Sequence, residues 1–184
     1  YWVFVGTNGK AVYRCELDAK SGALTEPAEV AEVTRPSFLT IAPGGKTLYA
    51  VGETSGKDGG GVYAFALDPA TGGLTKIGEQ TSGGSGPCHV AVDAEGKLAV
   101  VANYGGGSCA FYKLKDDGGF EARTAFHQHE GSSVRPNQKG PHAHCGTFDA
   151  TGNYALVCDL GADKVFVYKV DRATGAATPA GAAT

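Results

Sequence analysis

Four of the chain's five histidines fall in the run HQHEGSSVRPNQKGPHAH, from His127 to His144. The same run holds a carboxylate (Glu130), two cations (Arg135 and Lys139), hydroxyls and turn-forming Gly and Pro. That mixture suits proton transfer on a polar substrate. An imidazole with an ordinary pKa near 6.5 is largely neutral at pH 7, and a positioned base contributes roughly 10²–10⁴-fold to a rate. His142 and His144 stand two positions apart and share a face if they lie on a strand. H-x-H is also a metal-ligand spacing, with Asp159 or Glu130 as carboxylate ligands. Only two firm ligands support that reading, so neither metal nor cofactor is expected. His129 and Glu130 could orient the base or contact hydroxyls; Arg135, Lys139 and Arg35 could hold a phosphate or a developing oxyanion.

The elements that must position these groups repeat. LDAKSGALT (17–25), LDPATGGLT (67–75) and VDRATGAAT (170–178) are copies of one turn, with LKDDGGFEA (114–122) a degraded fourth. Between them recur SFLTIAPGGKTLYAVG (37–52), CHVAVDAEGKLAVVAN (88–103) and HCGTFDATGNYALVCD (144–159), in which Gly45, Gly96 and Gly152 align. Short runs rich in Val, Tyr, Phe and Leu alternate with Gly, Asp and Pro turns, which predicts antiparallel strands with tight connections. The second unit predicts strands over Ser37–Ala42, Thr47–Val51, Gly61–Leu67 and Leu74–Glu79. Four strands in about fifty residues make a β-propeller blade. The fold expected is therefore all-β: one partial propeller domain of 184 residues, with units near 1–35, 36–85, 86–140 and 141–184. Fewer than four blades fit, the chain is expected to begin and end mid-blade, and the parent protein is expected to be about twice as long. The remaining blades would then be a partner of this segment.

Labelling blade strands A to D from the inside out puts the B–C and D–A connections at one end of the barrel. The A–B and C–D connections, such as DAEGK and DPATGG, are solvated turns at the other. The unusual polar residues gather at the first end: Glu53 to Gly60, Asn103 to Gly107 and Asp159 to Asp163 in B–C connections, and Arg35-Pro36, Ser82 to Pro87 and the histidine run in D–A connections. Asn103 and Asp159 are equivalent positions placed to bind sugar hydroxyls or to shape a turn. His89 is either a pocket residue or a packed one. The repeat sets His144 level with Cys88 and Ser37, and His89 level with Phe38 and Cys145. Strict alternation then points His89 and His144 to opposite faces of their own blades. Neighbouring blades pack face to face, so the two either share a groove or point apart.

The net charge of −3 argues against nucleic acid or an anionic membrane surface as partner, and no apolar run approaches the roughly 20 residues that span a bilayer. Five cysteines without CxxC pairing, in apolar runs, read as small buried hydrophobes in a reducing compartment, with a cytoplasmic location favoured.

Several stretches resemble the lactonase, or 6-phosphogluconolactonase, family of seven-bladed propellers, relatives of the fungal carboxymuconate lactonising enzyme. They are GPCHVAVD (86–93), ANYGGGS (102–108), QHEGSS (128–133), GPHAH (140–144) and DLGADKVFVY (159–168), with PSFLTIAPGGKTLYAVGE (36–53) a looser match. The resemblance implies metal-free hydrolysis of a small-molecule sugar lactone, 6-phosphogluconolactone foremost, or a muconate-type lactonising cycloisomerisation. A non-catalytic propeller used as a binding platform is the third reading. By position His144 matches the histidine proposed as catalytic in the muconate branch, with His142 and Arg135 beside it. Relatives often read NPxRQ before PHAH, whereas Arg135-Pro136-Asn137-Gln138 is one residue shorter and displaces the arginine. The family's other pocket arginines and its glutamate are expected in later blades.

Overall fold

The computed structural model describes residues 1–56 and 59–184, so the middle of the Glu53–Gly60 connection lies outside the described residues. These residues form fifteen strands and no helix. Strands β1 (Trp2–Val5), β2 (Ala11–Glu16) and β3 (Ala28–Glu32) make a three-stranded sheet. Three four-stranded meanders follow: β4 (Leu39–Ile41) to β5 (Thr47–Gly52), β6 (Gly61–Leu67) and β7 (Leu74–Thr81); then β8 (Pro87–Val92), β9 (Leu98–Asn103), β10 (Ser108–Leu114) and β11 (Phe120–Gln128). The last comprises β12 (Ala143–Phe148), β13 (Tyr154–Asp159), β14 (Lys164–Val170) and β15 (Ala177–Ala183). Every pairing is antiparallel between sequence neighbours, as blades require. The final sheet has all four strands, where the sequence predicts an interrupted unit.

The sheets stack face to face around three apolar layers. Val12 and Val33 meet Leu48, Ala50 and Phe65 between the first two sheets. Tyr49, Val51 and Val62 meet Val90, Val101 and Tyr112 in the next layer. Val100, Ala102 and Phe111 meet Ala143, Val157 and Tyr168 in the third. Strands β5 and β9 are covered on both faces, so TLYAVG and LAVVAN carry apolar side chains at successive positions. In β13 burial alternates, because Tyr154 and Cys158 face outward on the far side of the last sheet. Cys158 is thus exposed and Cys88 and Cys145 half-buried; only Cys15 and Cys109 are buried as the sequence predicts for all five. All five are free thiols.

The repeating turns are fixed by aspartates that accept backbone N–H bonds. Asp93 Oδ1 accepts from Lys97 N (2.7 Å) and Leu98 N (2.8 Å), and Asp149 Oδ1 from Tyr154 N (2.8 Å). The aligned Gly45, Gly96 and Gly152 sit at φ 69°, 68° and 70°, a left-handed conformation that side chains resist. These turns hold one end of the barrel. The other end is free to carry chemistry.

Candidate active site

At that end the inner strands are irregular. In β12 the ladder passes from Ala143↔Asp159 to Cys145↔Cys158, so His144 is an extra, unpaired residue: a β-bulge. In β8 the ladder passes from Pro87↔Asn103 to His89↔Ala102, leaving Cys88 in the same position. Repeat alignment pairs these residues correctly, but the bulge breaks the alternation used to orient His144. Ala143 and Gly146, three apart, both face the preceding blade: Ala143 lies in the shared apolar layer, and a Cβ on Gly146 would meet Val100 at 3.0 Å.

His144 is exposed, and its ring stands edge-on to Tyr104 at 5.5 Å and 86°. The other side of this cluster is His142, stacked on Tyr104 at 4.6 Å and 15°. His142 Nδ1–H donates to the Tyr104 carbonyl (3.0 Å), which fixes the neutral tautomer and leaves Nε2 as the basic nitrogen. His144 also lines a cleft of about 300 Å³ on the outward face of the last sheet, with Cys158, Leu160, Asp163, Lys164, Val165, Ala183 and Thr184. Asp163 adopts φ 57°, one of two non-glycine residues in that region among the described residues; Arg35, at φ 51°, is the other. Backbone strain of this kind concentrates at functional sites.

His89 lies deeper. Its ring packs on Phe38 at 4.2 Å, Nδ1 accepts from Gly146 N (3.4 Å), and Nε2 faces Cys145 Sγ (3.6 Å). Phe38, His89 and Cys145, equivalent in three blades, thus form one row across the inner strands. Burial depresses the His89 pKa, and the charge of His144 depresses it further, so the two imidazoles sense one another. Cys88, in the bulge beside them, has its thiol pushed up to about 12 by burial and then by Glu53.

Three residues read either as substrate contacts or as orienting and turn-shaping groups are enclosed. His129 Nδ1–H donates to Asp159 Oδ2 (2.7 Å), and its Nε2 lies 2.9 Å from Tyr168 Oη; neither His129 nor Asp159 exposes more than 1% of its side chain. Asp159 Oδ1 accepts from His142 N (2.7 Å) and Ala162 N (2.9 Å). Burial raises the Asp159 pKa, but the His129 bond and the two backbone N–H groups outweigh it and leave the carboxyl below its usual value. Both carboxylate oxygens are therefore committed within the protein. Asn103 is fully buried and its Nδ2 donates to Ser108 Oγ (3.1 Å) and Ser82 O (3.3 Å). These groups hold turns because their polar atoms face inward between blades.

The rest of the histidine run disperses. His127 Nε2–H donates to Ala177 O (2.9 Å), joining two outer strands beside Tyr168. Glu130, Arg135 and Lys139 are exposed on the loop, and none of them makes an ion pair among the described residues. Arg35 pairs at 3.9 Å with Glu53 across the mouth. Among the described residues, no group of three or more His, Cys, Asp or Glu side chains is placed to hold a metal ion.

Comparison with known proteins places the fold. The family described as "Lactonase, 7-bladed beta-propeller" matches residues 3–184. The chain belongs to that family. Within it, the 6-phosphogluconolactonases of Bacillus subtilis (strain 168) and Formosa agariphila are each 32% identical, over 92% and 89% of this chain and 49% and 46% of their own lengths. The solved periplasmic gluconolactonase of Pseudomonas aeruginosa superposes with a TM-score of 0.85 at 30% identity, covering 97% of this chain and 55% of that one. The chain spans about half the length of the curated relatives it matches.

Sequence reasoning missed Tyr104, Lys164 and Gln138. Gln138 is buried and anchors the loop, donating through Nε2 to Leu160 O (2.8 Å) and accepting from Arg135 N (3.1 Å). Tyr104 and Lys164 both lie inside motifs that carry the family resemblance, ANYGGGS and DLGADKVFVY. That was the available signal. The cluster can transfer a proton at an exposed cleft, with a lysine beside it for negative charge.

Proposed function

We propose that this chain supplies consecutive blade units, near 1–35, 36–85, 86–140 and 141–184, of a propeller that hydrolyses a sugar lactone, 6-phosphogluconolactone foremost. The observation that carries the reading is His144, exposed in a bulge at the cleft and packed against Tyr104. His144 takes a proton from water as the oxygen attacks the lactone carbonyl. The tetrahedral intermediate then collapses, the ring C–O bond breaks, and the imidazolium returns the proton to the leaving alkoxide. Lys164 and Arg135 are the cations for phosphate or oxyanion, and the remaining blades complete the channel. The fixed tautomer of His142 favours a second reading, in which its Nε2 is the base and His144 binds. Free thiols support a reducing, cytoplasmic setting, although one solved relative is periplasmic.

Lactone hydrolysis by the full-length protein tests this. His144→Ala should lower kcat by about 10²–10⁴-fold, and His142→Ala by about tenfold through lost positioning. The reverse order would move the base to His142. Absence of turnover by the folded wild type would favour a binding platform.

A further inference from the structure

The connection from β11 to β12 is the longest at the mouth, and one carboxylate grips both of its feet. The outgoing foot is His129, whose Nδ1–H meets Asp159 Oδ2 at 2.7 Å. The returning foot is His142, whose backbone N–H meets Asp159 Oδ1 at 2.7 Å. The same Oδ1 accepts from Ala162 N at 2.9 Å, which ties in the turn carrying Leu160, Asp163 and Lys164. Three donors converge on an acceptor-only group, an arrangement that a carboxylate satisfies with His129 donating through Nδ1. At the equivalent position before the shorter connection, Asn103 ties down one neighbouring carbonyl, that of Ser82. His129 is itself fixed by Phe166, stacked at 3.9 Å, and by Tyr168.

We infer that His129 and Asp159 are positioning residues that clamp the loop's feet and so set the His142–Tyr104–His144 cluster against the lysine wall of the cleft. They touch no substrate, because both are sealed from solvent. Their influence runs through His142, whose backbone N–H and C=O are both taken, the latter by Leu160 N at 2.9 Å. From there it passes through the ring stack to Tyr104 and by edge contact to His144. The kinetic part of this inference rests on the proposed lactone hydrolysis. The structural part does not.

The test uses the full-length protein with His129→Leu, which removes the donor, and His129→Asn, which returns an amide N–H near the Nδ1 position. His129→Leu should lower kcat by about 10–100-fold, the scale of a misplacement of roughly 1 Å, with KM changed less than about threefold. Amide exchange over residues 139–144 should quicken by about tenfold or more, while β5 and β9 stay protected. His129→Asn should recover most of both. Unchanged exchange over residues 139–144 in His129→Leu would overturn the clamp, as would His129→Asn behaving like His129→Leu. If the wild type shows no lactone turnover, hydrolysis fails as a reading, yet exchange still decides the clamp. Exchange rising everywhere in His129→Leu means a lost fold; His129→Asn, compared with wild type, then decides by the same two readouts.

Discussion

Replacing Tyr104 by alanine should weaken the site more than it weakens the fold. The ring is half-buried and makes two contacts with imidazoles, one stacked at 4.6 Å and one edge-on at 5.5 Å. Each such contact is worth about 0.5–1.5 kcal/mol beyond burial, so the pair accounts for roughly 1–3 kcal/mol. Half the transfer energy of a large buried side chain adds about 1 kcal/mol. A loss of roughly 2–4 kcal/mol is therefore expected in urea unfolding. Catalysis should suffer further, since both imidazoles lose the surface that orients them, and kcat for lactone hydrolysis should fall by about 10–100-fold. Tyr104→Phe keeps both ring contacts, and the phenol oxygen makes no hydrogen bond among the described residues. It should stay within about twofold of wild type. An unchanged kcat in the alanine variant, or equal damage from phenylalanine, would refute an orienting role for the ring.

His89 has a depressed pKa, so the unfolded chain binds its proton more readily than the folded one. Its contribution to stability is complete above about pH 6.5 and is lost as pH falls through the folded value. His89→Phe, which leaves Phe38, Cys145 and His144 in place, should flatten that acid-side loss in denaturant midpoints at about pH 7.5 and 5.5; parallel losses in both proteins would refute it. Gly161→Ala would place a Cβ 1.8 Å from the Gly140 carbonyl oxygen at the loop's return. It should cost about 1–3 kcal/mol or more and raise KM, and a wild-type urea midpoint would count against the packing described. Asp93→Ala removes a buried carboxylate holding three backbone N–H groups at the far end of the barrel. A stability loss of about 1–3 kcal/mol with kcat/KM unchanged is expected, and a large activity loss would contradict the separation of the two ends.

The fold was largely legible because its determinants are local and repeated. Asp and Gly turns recur at fixed offsets, and the strand Gly61–Leu67 appears with the predicted bounds. The inner strand of the second unit is shorter than predicted, Leu39–Ile41 against Ser37–Ala42, because ladder pairing begins only after the mouth connection. The site was legible to the level of its end of the barrel. What a sequence hides is pairing at a distance: His129 meets Asp159 thirty residues away, and a polar residue with an enclosed partner looks the same in sequence as one awaiting substrate. An extra residue in one strand is equally invisible, because alternation is read within that strand whereas a bulge is defined by its neighbour. Tyr104 was passed over because a tyrosine beside three glycines reads as turn filler.

The bulges in β8 and β12 separate chemical identity from architecture. Cys88 and His144 occupy the same backbone niche in successive blades, outside the ladder register. The ladder closes around both, a half-buried thiol in one blade and an exposed imidazole in the next. The two repeats that carry the bulge each hold such a socket at the channel mouth, whereas the β4 ladder runs without one, so a bulged blade can change its chemistry while its frame is kept.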